Sequence, residues 1–353
     1  MQRCPVCFGG QDFGRSLDSG GDVHVAMDGN FHHWHQRSTG DCPPFYDPIY
    51  FLPKSQVDEV GKRINAARKH PPRQYKVALP DEAVDQCETS YEAADGKKQK
   101  AAMDSFDDTG IMALICCHDI PLFFVNIDTP GEQQKYSVAL IEHFFSLIPL
   151  RCNVVILYNI GCVLACSLMK VRMCLSFGRV LLNNSQYNIL SSFITSHIHF
   201  ATTAMHAYGH EWACQLVYNP QLIQDLGLSD GEGTERLWSQ FIKLIGIQCA
   251  SLVRQYNEII MTVSHYFQCQ CHIWLINCHA GAVAKEMFAD LGDWLWCWLK
   301  KGVEEQGSAA QEVLDQCELG AVELCKEWLD QRAAQLSIRA HTSLLVYSSR
   351  FMN

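Results

Sequence analysis

The stretch RCNVVILYNIGCVLACSLMK, residues 151–170, decides the fold. Val154 to Tyr158 are β-branched, apolar or aromatic and run up to Asn159 and Gly161, so they predict a buried strand stopping at Asn159. A catalytic acid often occupies such a strand end, and here the residue is neutral. The uncharged run from Cys152 to Met169 approaches the length of a membrane span. Asn153 and Asn159 inside it, and Gly161 after the strand-like part, argue against that reading.

Working outward, TPGEQQKYSVALIEHFFSLI predicts a helix starting at Thr129-Pro130, with Val138, Ile141, Phe144 and Phe145 on its apolar side. Before it, IMALICCHDIPLFFVNID holds two apolar runs broken at His118 to Pro121. DVHVAMDGNFHHWH alternates like a half-buried strand, with Val23 and Val25 on one face, and ends in Asp28-Gly29-Asn30. Residues 41–104 are polar and predict a loop with short helices at best. Downstream, LSDGEGTERLWSQFIKLIG begins at Ser229-Asp230-Gly231 and spaces Leu237, Phe241 and Leu244 as a helix with Glu232 and Glu235 in its first turn. The last third has a helical pattern. Strand, polar insertion, strands, helix, strand is the order of an α/β fold with a central sheet.

A chain of 353 residues with 48% apolar content can bury a large core. Its net charge of −10 argues against an overall basic nucleic-acid binder, although a basic groove in an acidic protein remains open. The 18 cysteines are not preceded by a charged start and an apolar signal core, so reduced thiols in a cytosolic or nuclear setting are expected rather than disulfides.

An acid at the end of the first strand, a second on an adjacent strand and a Glu on a later helix can hold two divalent metals for phosphodiester chemistry. Asp28 and Glu235 suit two of these roles, and Asn159 stands where the third belongs. Taken alone, Asp28 also suits a turn former and Glu235 a helix-dipole partner. Cys4 and Cys7 in CPVCF have half the spacing of a zinc site, and His206, His210 and Cys214 recur at intervals of four, as if along one helix face. Both groups are candidate zinc ligands, with buried thiols and core histidines as the alternative.

The segments DGNF, FLPKSQVDEVG, VDQCETSYEAADGKKQKAAMDSFDDTGIMALICCHDIPLFFVNIDTPGEQQKY, HAYGHEWACQLVYNP and GLSDGEGTERLWS resemble the Kyakuja-Dileera-Zisupton (KDZ) transposases of basidiomycete fungi. The resemblance implies an RNase H-like, DDE-type core that cuts and joins DNA in the nucleus with Mg2+ or Mn2+. It implies Asp28 as first acid and Glu235, or alternatively Glu232, as last. The second acid belongs to a Tyr-Asp-(Ile/Val)-Gly-Cys motif that reads YNIGC here, so Asn159 makes this a degraded copy with impaired catalysis. His32, His33, His35 and Arg37 replace a mixed basic and polar run, which makes them DNA-contact candidates. Longer members carry N-terminal cysteine-rich modules, and this sequence is expected to lack them.

The expected organisation is a zinc-knuckle end at 1–22 and a catalytic core at 23–245. The core carries the polar insertion 41–104 and a helical insertion at about 165–228, and a helical region follows at 246–353. Residues 171–186 and 253–270 are surplus to the family pattern; each begins Val-Arg and ends in Gln, so each can be a translated in-frame intron. Residues beyond SIRAHTSLL depart from the family's charged helix, as a frameshift or truncated gene end would. The alternatives are a non-catalytic DNA-associated or host-domesticated binding protein, or a misassembled transposon-derived gene product. Oligomeric state stays open.

Overall fold

The computed structural model describes residues 3–10, 12–37, 48–68, 87, 105–168, 171–173, 180–182, 189–249, 271–317 and 319–337. In chain order its elements begin with α1 (Pro5–Phe8), β1 (Val23–Asn30), β2 (His35–Gln36) and α2 (Lys54–Arg68). Next come β3 (Phe106–Asp108), β4 (Gly110–Cys116), β5 (Pro121–Ile127), α3 (Gln134–Leu147), β6 (Val154–Tyr158) and α4 (Gly161–Leu168). They are followed by β7 (Val171–Met173), β8 (Val180–Leu182), α5 (Ser192–Ser196), β9 (Ile198–Ala201), α6 (Ala204–Ala207) and α7 (Trp212–Tyr218). The chain continues through α8 (Gly233–Cys249), α9 (Cys271–Cys297), α10 (Gln306–Gln316) and α11 (Ala321–Ser337).

A five-stranded sheet with the order β5-β4-β1-β6-β9 forms the centre. β1 runs antiparallel to β4 and parallel to β6, and β9 is parallel to β6. Period-two alternation splits the core between the sheet's two faces. Val25, Met27, Leu114, Ile156 and Tyr158 pack with Tyr136, Leu140 and Phe144 of α3 on one face. Ala26, Ala113, Val155 and Leu157 pack with Leu237, Trp238 and Phe241 of α8 and Ile276 of α9 on the other. Each fully buried Val, Leu, Ile, Met or Phe side chain among them contributes about 1.5–3 kcal/mol of transfer free energy. The two layers therefore anchor every strand end that carries a functional candidate.

The uncharged run of residues 152–169 divides into β6 and α4, and among the described residues no helix is long and apolar enough to cross a membrane. Gly161 allows the division. A Cβ there would lie 2.2 Å from the carbonyl oxygen of Ala201, so α4 can start directly against β9 only with glycine in that place.

Three local expectations need correction. The helix foreseen from Thr129-Pro130 begins instead at Gln134, because Gly131 takes a left-handed φ of 85° and turns the chain first. Glu232 precedes α8 rather than lying in its first turn, since Gly231, at φ 74°, delays the helix start to Gly233. The polar insertion holds a 15-residue helix, α2, whose Val57, Val60 and Ile64 are buried at helical spacing; it packs against α3. The surplus segment 253–270 and the tail from residue 338 lie outside the described residues, as does most of 171–186, of which β7 and β8 form a small hairpin.

Candidate active site and cysteine clusters

Parallel pairing of β1 with β6 ends at Met27↔Tyr158, so Asp28 and Asn159 occupy the next position on adjacent strands. Their side chains meet on the α8 face. Asn159 Nδ2 donates to Asp28 Oδ1 at 2.8 Å, and Trp238 Nε1 donates to Asp28 Oδ2 at 2.9 Å. The other end of the Asn159 amide accepts from the Ile160 backbone N–H at 2.9 Å. These two bonds fix the amide's orientation, because flipping it would set oxygen against carboxylate and NH2 against N–H. Residue 159 thus presents a donor to Asp28, whereas a hard cation needs an oxygen there. The side chains in place do not fit a divalent ion between these two positions.

Asp28 is 8% exposed and Asn159 4%. Burial raises the Asp28 carboxyl well above its usual range, repulsion from Glu132 and Glu235 adds to the rise, and the Trp238 bond opposes it. Glu235 lies one helical turn before Trp238 on α8, in the first turn of that helix, and is exposed. Glu232 faces elsewhere with one oxygen: its Oε1 accepts from the Met205 backbone N–H at 2.8 Å, while Oε2 is buried without a partner.

Glu132 escaped the sequence reading. A Cβ on Gly29 would lie 3.1 Å from Glu132 Oε1, so this carboxyl rests directly on β1 beside Asp28. Burial pushes it up to about 7, against a lowering hydrogen bond from Tyr158. Its position in the turn before α3 gave no periodic signal.

A family model described as "Kyakuja-Dileera-Zisupton transposase" matches residues 22–267, which span β1, β6 and α8 and with them Asp28, Asn159 and Glu235. The chain belongs to this family. No curated protein and no solved structure matches it.

In this KDZ chain the DNA-contact candidates separate. His33 is fully buried and packs between the rings of Trp238 and Phe241, 6.3 and 6.1 Å between centroids, so it belongs to the core and not to a DNA-facing surface. His32 and Arg37 are exposed, and Arg37 and His35 both approach Asp107, at 3.8 and 3.6 Å.

Among the described residues there are two quartets of possible metal ligands. Cys4 and Cys7 meet Cys116 and His118, which lie at the β4–β5 hairpin; Cys162, His210 and Cys214 meet Cys87. Within each quartet the ligand atoms all lie within 4.8 Å of one another, so each can hold a metal ion such as zinc. His206 is not among them. The helix face that would have joined it to His210 and Cys214 does not exist, because the chain breaks between α6 and α7, and His206 Nδ1 bonds Thr203 Oγ1 at 2.8 Å instead. The second half of the CPVCF site was in view as CCHD, but more than a hundred residues separate the halves. A cavity of about 650 Å3 borders the first quartet, lined by its Cys7, Cys116 and His118 and by His24, Asp119 and Arg236 among others, with none of Asp28, Asn159 and Glu235.

Proposed function

We propose that the chain is the core of a DDE-type DNA transposase, RNase H-like in architecture, whose metal-dependent chemistry is disabled at residue 159. Its strand order, with three antiparallel strands continued by two parallel ones, supports the RNase H-like reading. The family supports DNA as the partner and the nucleus as the place of action.

The observation that carries the reading is the Asn159 Nδ2–Asp28 Oδ1 hydrogen bond. Two-metal phosphoryl chemistry needs converging anionic oxygens to offset two dications. Asp28 and Glu235 retain two such groups, and Asn159 replaces the third with a donor already spent on Asp28. The same observation favours the second reading, a DNA-associated binding protein that kept the fold after losing the reaction.

Nicking of a supercoiled plasmid with Mg2+ or Mn2+ tests this. The native chain is expected to bind without cleaving. Asn159→Asp is expected to introduce nicks that chelation abolishes and that a further Asp28→Asn change removes. Metal-dependent nicking by the native chain that Asp28→Asn abolishes would overturn the disabled-site reading.

A further inference from the structure

We infer that both cysteine quartets are closed zinc centres, each of three cysteines and one histidine, and that the second positions the strand end at Asn159. This goes beyond the functional reading above and does not depend on whether the chain cleaves DNA.

The geometry carries it. In a tetrahedral site with zinc–sulfur bonds of about 2.3 Å and zinc–nitrogen bonds of about 2.0 Å, a sulfur and a nitrogen ligand lie about 3.5 Å apart. Cys162 and Cys214 Sγ lie 3.4 and 3.6 Å from His210 Nδ1. Cys4, Cys7 and Cys116 Sγ lie 3.6, 3.2 and 4.0 Å from His118 Nδ1. All six cysteines of these quartets are buried and outside any disulfide, and the ligands come from two separate parts of the chain in the first quartet and three in the second.

The second centre reaches the site at residue 159 from two directions. Cys162 stands in the first turn of α4, three residues beyond Asn159. His210, bound through Nδ1, keeps its proton on Nε2, and Nε2 lies 2.9 Å from the Asn159 carbonyl oxygen. A zinc-bound histidine commonly donates its other ring N–H to a backbone carbonyl, which fixes the tautomer and the orientation of both groups. Here that carbonyl belongs to the residue at the second-acid position. His210 is therefore a positioning residue, and Cys87 joins the polar insertion to the same point.

Elemental analysis of the purified full chain is expected to give two zinc ions, with an X-ray absorption shell of three sulfurs and one nitrogen. Folded protein without zinc, or an oxygen-rich shell, would overturn the assignment, and this measurement needs no variant. Cys214→Ser is expected to leave one zinc and to raise hydrogen exchange across residues 158–165. Cys7→Ser is expected to leave one zinc with that segment unchanged. His210→Cys separates metal binding from positioning: it is expected to keep both zinc ions but still raise exchange at 158–165. Retained zinc with unchanged exchange would refute the positioning role.

Discussion

Asn159 Nδ2 donates to Asp28 Oδ1 across 2.8 Å, so a neutral amide holds the place that the proposed function assigns to a second carboxylate. Replacing it with aspartate sets two carboxylates face to face in a buried site, where one must take up a proton or a cation must intervene. Asn159→Asp is expected to lose about 1–3 kcal/mol in chelator at pH 7–8 and to regain it as Mn2+ is added. Thermal unfolding of the native chain should be insensitive to Mn2+ over the same range. An equal Mn2+ response in both proteins would show that the amide does not block the metal.

Trp238 supplies the other bond to Asp28, from Nε1 to Oδ2 at 2.9 Å. Trp238→Phe keeps an aromatic ring against Phe241 and removes the donor. The expected cost is about 1–3 kcal/mol of stability, measured by denaturant unfolding, because a buried carboxyl oxygen loses its partner. A cost indistinguishable from zero would mean that water reaches that oxygen.

Glu132 carries a pH signature. Its carboxyl is held near 7 in the fold against an ordinary value of 4.5, so between these limits the folded state binds the proton more tightly than the unfolded state. This contribution is complete below about pH 4.5, declines as pH rises, and is gone above about pH 7. Glu132→Gln should flatten that part of the stability profile and gain at most about 3 kcal/mol over the native chain at pH 8. Parallel profiles for the two proteins would place the carboxyl in contact with solvent.

His33 and Arg37 separate folding from DNA contact. His33→Ala removes a fully buried ring beside Trp238 and Phe241 and should cost about 2–4 kcal/mol in chemical unfolding. Arg37, which is exposed, should tolerate alanine without loss of stability. If it faces DNA, Arg37→Ala should weaken plasmid binding and reduce the slope of log affinity against log salt by about 1. An unchanged slope removes it from the DNA surface.

What the sequence made legible follows from how local each signal is. The alternation of Val23 and Val25 and the apolar run from Val154 to Tyr158 are short-range patterns, and both became strands, with Asp28 two residues before the end of β1 and Asn159 directly after β6. Helix starts were harder, since Gly131 and Gly231 take left-handed conformations that a capping pattern does not reveal. The cysteine quartets were half-visible: Cys4 and Cys7 share a turn, but Cys116 and His118 reach them only through the fold of β4 against β1. His206 fell on the wrong side of a helix break at Tyr208-Gly209. His33 looked like part of a polar run because its ring partners lie on α8, some two hundred residues away.

The backbone around residue 159 is intact: β6 still ends beside β1, Gly161 still lets α4 start against β9, and His210 still holds the carbonyl. A side-chain amide is all that separates this arrangement from the one the Asn159→Asp variant would have. Both asparagine codons become aspartate codons by a change in the first base, so the substitution on which the proposed function turns is a single nucleotide away.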